Sequence, residues 1–514
     1  MTSTYLLFSS SVILASLLLV YFLSKPKSKQ LAIPLPPGPP GYPIIGNLLQ
    51  MGPKPHRTFY TLSLKYGPLL HLRAGAVHFV VVSSPAMASL LFKTYDANFS
   101  DRPYTSGAKY MSFGRRTISM SPYGPRWRML RKITTMHVLS AKPIEASRRT
   151  REEEVKSLIT KLATHQGSTV EIGSCLDECI TEIMAHSLVG KRFFSGPNVR
   201  RVGELKEISM ELIRAMGEFV VGDFIPSLKW LDLGGTVAKM KRTFTRLDSF
   251  LDGIMQEHRA DLTVGLEDKD DDLLSVLFRI KECDGELTDD DIKGVLADMF
   301  IAGTDTAAST VEWALSEMIR NPYMLQQAQQ ELDLVVGRDR LVSESDIPNM
   351  PFLQALVKET FRLHPATPLL LPRTAAEGVE FGGYRIPKNA TIVVNAWAIG
   401  RDGESWTDPY EFKPARFLPG GESEFADMKG NNLEFIPFGG GRRICVGMNL
   451  GVRMVQIMTA MLVHAFDWAL PTGQSPDKLS MEEAFGLSLH RDVPLNVCPK
   501  ARLHPRVYGS CTTR

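Results

Sequence analysis

One cysteine in this chain stands where its chemistry would matter. The run Phe438-Gly439-Gly440-Gly441-Arg442-Arg443-Ile444-Cys445-Val446-Gly447 puts Cys445 behind three glycines and two arginines. It also puts it just ahead of an apolar segment, Met448 to Leu462, that reads as a helix. A cysteine at a helix N-terminus beside arginines has its thiolate stabilised by the helix dipole and by positive charge. The glycines predict a tight, exposed turn whose backbone a flat ligand can approach. A thiolate is what an iron porphyrin needs as an axial ligand if it is to cleave an O–O bond. A Gly-rich phosphate loop would need Gly-x-Gly-x-x-Gly or a closing Gly-Lys-Ser/Thr, and neither is present. Taken alone, the cysteine reads as well as a small buried hydrophobe.

Three further groups could do chemistry. Trp127 and Arg131 are four apart, so on a helix they share one face and offer an indole N–H and a guanidinium to carboxylates. Without other support they read equally as a cation–π surface pair. Ala302-Gly303-Thr304-Asp305-Thr306 sits inside a long apolar pattern. Glycine and clustered hydroxyls weaken a helix there and predict a kink or widened turn. A small residue admits a planar cofactor, and a neighbouring hydroxyl can hold water or dioxygen. Glu359 and Arg362 lie at i and i+3, within bonding reach on a helix.

These groups need elements to position them. Thr288 and Asp291 have the spacing of a capping box and start the helix that carries residues 302–306. Residues 69–82 are β-branched and apolar around a Gly-containing turn and predict a hairpin. Ser84-Pro85 then starts a helix from Met87 to Lys93. The loop 98–122 is long and rich in Gly and Pro, and loops of that length in compact domains tend to be functional. After Glu359, His364-Pro365-Ala366-Thr367-Pro368 forces an extended path. Cys175 and Cys179 share a helix face and read as core residues.

The chain has 514 residues, is 44% hydrophobic and 22% charged, and carries a net charge of +3. That is enough material for a large core, and too small and dispersed a charge for a nucleic-acid partner. Six cysteines in so long a chain do not make a disulfide framework. Tyr5 to Leu23 is an uncharged apolar run that as a helix would span roughly 28 Å, about the thickness of an endoplasmic-reticulum bilayer. Lys25, Lys27 and Lys29 follow it and place the remaining chain on the cytosolic side of a single-pass anchor. Pro34-Leu35-Pro36-Pro37-Gly38-Pro39-Pro40-Gly41 then reads as a stiff spacer. The expected division is an anchor at 1–24, a basic stop-transfer and proline-rich hinge at 25–41, and a cytosolic catalytic domain at 42–514.

The four motifs Trp127/Arg131, Ala302–Thr306, Glu359/Arg362 and the Cys445 loop resemble those of the cytochrome P-450 superfamily, in the same order, and the resemblance runs from Pro34 to the end. It implies a mainly α P-450 fold, a large helical domain with a small β-rich lobe, preceded by a transmembrane helix. It implies haem b ligated by Cys445. Trp127, Arg131 and Arg373 are then propionate partners, and Ala302, Gly303, Phe438, Arg443 and Gly447 border the cofactor. Thr306 and Asp305 handle protons during oxygen activation. Glu359, Arg362 and Arg416 form a buried pair and its third member, with Ala415 where most relatives have Glu. The implied partners are NADPH–cytochrome P-450 reductase and O2, and Arg126, Arg128, Lys132 and Arg442 are the expected basic surface for the reductase.

A narrower resemblance is to plant flavonoid B-ring hydroxylases. It rests on Asp96-Ala97-Asn98-Phe99, Ser106-Gly107-Ala108-Lys109-Tyr110, Tyr123 to Lys132, Thr310-Val311-Glu312-Trp313-Ala314, His464 to Trp468, Glu482 to Leu487 and Val507-Tyr508-Gly509. It implies hydroxylation at the 3′ carbon with the 5′ carbon as a further position, and makes Leu369, Leu370, Leu487 and Ser488 substrate contacts. Ser488 would gate the second hydroxylation. A phenolic shikimate ester is the alternative substrate. A haem-thiolate isomerase or dehydratase, or a haem-binding protein without catalysis, is the alternative of another class.

Overall fold

The computed structural model describes residues 33–190, 199–218, 220–232, 234–263 and 272–509, together with Ser16. Apart from Ser16, the apolar run Tyr5–Leu23 and the lysines after it lie outside these residues. Among the described residues no helix is long and apolar enough to cross a membrane.

Helices make up most of the molecule, and the longest, Asp289–Arg320, is its axis. Its start is the expected capping box: Thr288 Oγ1 accepts from Asp291 N, and Asp291 Oδ2 accepts from Thr288 N at 2.9 Å. Asp289, Asp290 and Asp291 fill its first turn and Arg320 its last, each complementing the helix dipole. Asn321-Pro322 ends it, because Pro322 opens the next helix at its N1 position. The axis packs against helix Ile172–Val189 on one side and helix Met448–Ala465 on another. One apolar core runs through this helical part, and Met184, Leu296, Val311 and Met458 are buried in it.

The β-rich part is small. Strands Leu69–Ala74 and Val77–Val82 form the expected hairpin, with Ala74 opposite Val77. Gly75 makes its turn at φ 57°, and a Cβ there would meet Phe224 O at 2.2 Å. Thr391–Val394 pairs parallel to the second strand, and Arg373–Thr374 closes the sheet antiparallel to it. Further pairings join Val379–Phe381 to Tyr384–Ile386, and Glu483–Phe485 to Leu489–Arg491. Two smaller apolar clusters lie under these strands.

Two local expectations come out differently. The proline-rich stretch is extended, as fixed φ requires, yet it lies docked against the sheet. Pro37 O accepts from His71 N at 2.9 Å, and Pro34 O accepts from Arg385 N at 2.8 Å. Gly38 passes so close that a Cβ would meet His71 O at 1.9 Å. The helix begun by Ser84 is α only over Pro85–Ser89 and continues as a π turn over Leu90–Thr94.

Candidate active site

Cys445 sits between two local devices. Its N–H donates to Phe438 O at 3.0 Å, which closes the glycine turn. Its sulfur faces the N–H groups of Gly447 and Met448 at the start of helix Met448–Ala465, a helix with no side-chain cap. The thiol is accessible, but from inside the molecule: surrounding protein is dense enough that desolvation is the first influence on it, and its pKa is pushed up. The backbone N–H groups and the Arg131 guanidinium pull the other way and do not win. The helix N-terminus and Arg131 thus favour the thiolate as the sequence expects, while burial opposes it. A bound metal cation displaces the thiol proton.

The glycine turn is exposed only at its last residue, Gly441. Gly439 and Gly440 are buried. A Cβ on Gly440 would meet the Phe92 ring at 2.8 Å, and one on Gly441 (φ 65°) would meet Asp96 Oδ1 at 2.2 Å. Asp96 explains the shape. Its carboxylate accepts from Arg442 N at 2.9 Å, from Arg442 Nη1 at 2.9 Å and from Arg373 Nη1 at 3.1 Å, while Arg373 Nη2 donates to Gly440 O at 2.7 Å.

Beside the cysteine lies a group of arginines with too few carboxylates. Arg443 donates to Ser100 O at 2.8 Å, Ile118 O at 3.2 Å and Ser121 O at 2.6 Å. Arg102 donates to Ser119 O, Leu371 O and Pro372 O, each at 2.8 Å. Burial pushes Arg373 and Arg443 down to about 10, with Arg373 adding to the shift of Arg443. Burial also pushes Arg102 well below its ordinary value, helped by the charges of Arg443 and Arg373. Arg131 lies 5.4 Å from the Trp127 ring, and its guanidinium has no hydrogen-bond or ion-pair partner among the described residues. The Trp127 indole N–H is already taken, donating to Ile118 O at 3.1 Å.

The long helix is open in one place. Residues 292–301 and 307–319 are buried apart from Asp298, whereas Ala302 is exposed and 303–306 are half-buried. Of the kink or widened turn the sequence predicts, the widened turn is not formed: the segment stays α-helical, with Thr306 Oγ1 donating back to Ala302 O at 2.7 Å. Gly303 also makes a helix contact. A Cβ on it would meet Met184 Cε at 2.9 Å, so it permits the close pass of helix Ile172–Val189, and Ala302 is the residue that faces the opening. One turn earlier, Asp298 Oδ1 and Oδ2 accept from Ser119 Oγ at 2.6 Å and Ser119 N at 2.8 Å. Ser119 follows Ile118, the carbonyl that holds Trp127 and Arg443. The 98–122 loop thus ties the cysteine side to the helix opening.

Behind the cysteine loop, Glu359 and Arg362 are fully buried and pair bidentately at 2.6 and 2.8 Å. Arg416 Nε reaches Glu359 Oε1 at 3.1 Å, and its Nη1 pairs with Glu422. Arg362 spends its other donors on Gly400 O, Pro409 O and Glu411 O. The network is closed although position 415 is alanine.

Leu369 and Leu370 are half-buried, and Leu370 holds φ 49°. Leu487 is half-buried and Ser488 buried, with Ser488 Oγ donating to Asp305 Oδ2. The side chain read as a ring contact is thus bonded to the residue read as a proton carrier. Sequence reasoning missed Asp96, Arg102, Asp298 and His490. Only Asp96 lay in a quoted stretch, and no local spacing marks the others.

The residues fit a planar dianionic cofactor bound through iron. An inward-facing thiol, an unpartnered guanidinium beside it, a surplus of buried arginine and a small residue facing the opening are the donor set that haem and its two propionates require. The comparisons agree. The Cytochrome P450 family profile matches residues 36–495. A flavonoid 3′-monooxygenase of Crocosmia x crocosmiiflora is 52% identical over 99% of this chain and all of its own length. A flavonoid 3′-monooxygenase of Petunia hybrida is 49% identical over 96% and 98% of the two chains. A flavonoid 3′,5′-hydroxylase of Crocosmia x crocosmiiflora is 45% identical over 98% of each. Among solved structures, a zebra fish cytochrome P450 with progesterone superimposes with TM-score 0.74 at 25% identity, covering 87% of this chain and 99% of that one. With its fold, its cysteine loop and its full-length likeness in accord, this chain belongs to the cytochrome P450 family.

Proposed function

We propose that the protein is a haem-thiolate monooxygenase that hydroxylates the flavonoid B ring at the 3′ carbon. The observation that carries the oxygen-activating reading is the pairing of the inward-facing Cys445 with a helix opening that holds Thr306 and Asp305. The substrate reading rests on the names of the relatives, which are nearly full-length matches. When bound, haem b supplies oxygen activation with two electrons and O2.

The chain's own residues supply the rest. Cys445 binds iron, with Gly447 and Met448 N–H groups supporting its sulfur. Arg131, Arg373 and Arg443 hold the propionates, with Trp127 stacked against Arg131 and Arg443. Thr306 Oγ1 and the Asp305 carboxylate move protons at the opening. Leu369, Leu370 and Leu487 give the ring an apolar wall. Ser488, through its bond to Asp305, connects that wall to the proton carrier. Tyr5–Leu23 anchors the enzyme in the endoplasmic-reticulum membrane, with the catalytic domain in the cytosol. Arg126, Arg128, Lys132 and Arg442 are exposed and give an acidic reductase a basic face.

The test is NADPH consumption with a plant reductase and a panel of flavanones, flavones and phenolic shikimate esters, followed by product mass. Addition of one oxygen to a flavonoid B ring supports the reading, and turnover of the esters alone rejects its substrate. Rearrangement or dehydration without oxygen uptake rejects its class.

A further inference from the structure

The hairpin Glu483–Phe485/Leu489–Arg491 takes up both oxygens of Asp305. Ser488 Oγ donates to Oδ2, and His490 Nε2 stands 3.1 Å from Oδ1. The hairpin is fixed to the same helix farther along: Ser309 Oγ and Trp313 Nε1 donate to Leu489 O at 2.8 and 3.2 Å. Leu489 N donates to Ala366 O at 2.7 Å. The position of His490 relative to Asp305 is therefore set by bonds on both sides of it.

Exposure gives the pair a direction. The Asp305 side chain is 13% exposed and that of His490 36%, so the imidazole stands between the carboxylate and water. The surroundings are acidic. Asp305 and Glu312 face His490 from the long helix, and Asp177 from helix Ile172–Val189. Lys206 pairs with Asp177 at 3.4 Å, while Arg491 and Glu171 act on Glu312. Burial alone would lower the imidazole's pKa, but the bond and charge of Asp305 outweigh it and hold it above its ordinary value of 6.5. Asp177 in the same group is pushed up to about 6, first by burial.

We propose that His490 is a positioning residue for Asp305 and the route by which solvent protons reach it. The imidazolium passes its Nε2 proton to Asp305 Oδ1 and is left with Nδ1–H; the half-exposed ring then turns its bare Nε2 to water, takes a proton from hydronium there and turns back. In delivery one N–H bond breaks and one O–H bond forms, in recharging a hydronium O–H bond breaks and the N–H bond re-forms, and no electrons move. Ser488 holds the second oxygen, so the carboxylate keeps its orientation while it is charged. This inference rests on the oxygen-activating role of Asp305 and Thr306, and is independent of which phenolic compound is the substrate.

The test uses the haem-loaded full chain, reduced and bound to carbon monoxide so that it is diamagnetic, with 13C-labelled histidine. The His490 resonance is identified by its loss in His490→Gln. Its titration midpoint lies above 6.5 in the parent enzyme, and Asp305→Asn lowers it by about half a unit or more, since one unit already corresponds to a modest interaction. A midpoint at or below the ordinary value, or one that Asp305→Asn leaves in place, overturns the pairing. In turnover, His490→Gln lowers kcat by about tenfold with KM little changed, less than the roughly hundredfold or more of a positioned acid because water replaces the route. It also flattens the alkaline fall of kcat and sends more NADPH electrons to peroxide. A parent-like kcat and pH profile in His490→Gln overturns the route and reduces the histidine to a pin for the hairpin. Failure of the parent enzyme to hydroxylate any flavonoid would reject the substrate reading and leave the imidazole titration standing.

Discussion

Arg416 draws a second carboxylate from Glu422, six residues along the chain, through Nη1 and Oε1. Its Nε meanwhile shares Glu359 with Arg362. That relationship explains how the buried pair tolerates Ala415: the missing carboxylate at 415 is not needed where the chain bends back to supply another. Glu359→Gln leaves the buried Arg362 guanidinium without its carboxylate, and Arg416 with Glu422 alone, and is expected to cost about 3–5 kcal/mol. Glu422 is 30% exposed, so Glu422→Gln is expected to cost about 1 kcal/mol or less. Chemical unfolding followed by haem content measures both, and equal losses would remove the distinction.

Cys445→Ala is expected to abolish the thiolate-type spectrum of the reduced carbon-monoxide complex, and hydroxylation with it. The fold survives, because the loop is held by Asp96, Arg373 and the glycine turn rather than by sulfur. Circular dichroism of the variant beside its difference spectrum checks both halves.

Thr306→Ala removes a hydroxyl that donates only to its own helix, at Ala302 O. Haem loading and substrate affinity are therefore expected to hold, while NADPH electrons are diverted to hydrogen peroxide. The ratio of product to NADPH consumed is the measurement, and a parent-like ratio would move the proton-carrying role elsewhere.

Two substitutions separate the roles of Ser488. Ser488→Ala loses the bond to Asp305 and is expected to raise peroxide formation without changing the ratio of 3′ to 3′,5′ products. Ser488→Thr keeps a hydroxyl and adds a methyl in a site that is 3% exposed. One methyl is worth about 1 kcal/mol of packing or exclusion, enough to reduce the second hydroxylation about fivefold while sparing the first. Product ratios by mass spectrometry decide between the two effects.

Acid stability should centre on Glu483. Its carboxylate accepts from Arg57 Nε at 2.8 Å and Trp397 Nε1 at 3.0 Å, and lies 3.1 Å from His56 Nε2. Burial opposes the charge, but the hydrogen bond to His56 and the Arg57 charge hold the carboxyl far below its ordinary value of 4.5. A depressed carboxyl stabilises the fold above its unfolded pKa, and that stability is lost as pH falls through the folded value. Glu483→Gln is therefore expected to lower stability at neutral pH and to flatten the dependence below pH 4.5. Unfolding midpoints between neutral pH and pH 3 test the sign.

What the sequence by itself determined is local. The capping box at Thr288 and Asp291, the hairpin around Gly75, the pairing of Glu359 with Arg362 and the helix after Cys445 all depend on residues within a turn or two of one another. Backbone geometry decides such features, and spacing records it. Tertiary structure alone decided the partners of the charged and polar groups. Asp96 meets Arg373 across 277 positions, Asp305 meets Ser488 across 183, and Glu483 meets Arg57 across 426. The docking of the proline-rich stretch, the engagement of the Trp127 indole by Ile118 and the contact of Gly303 with Met184 are of the same kind. A group taken out of water must find a partner wherever the packed chain presents one, because leaving it unpaired costs more than most single contacts return. That choice is made between elements, where sequence spacing carries no record of distance.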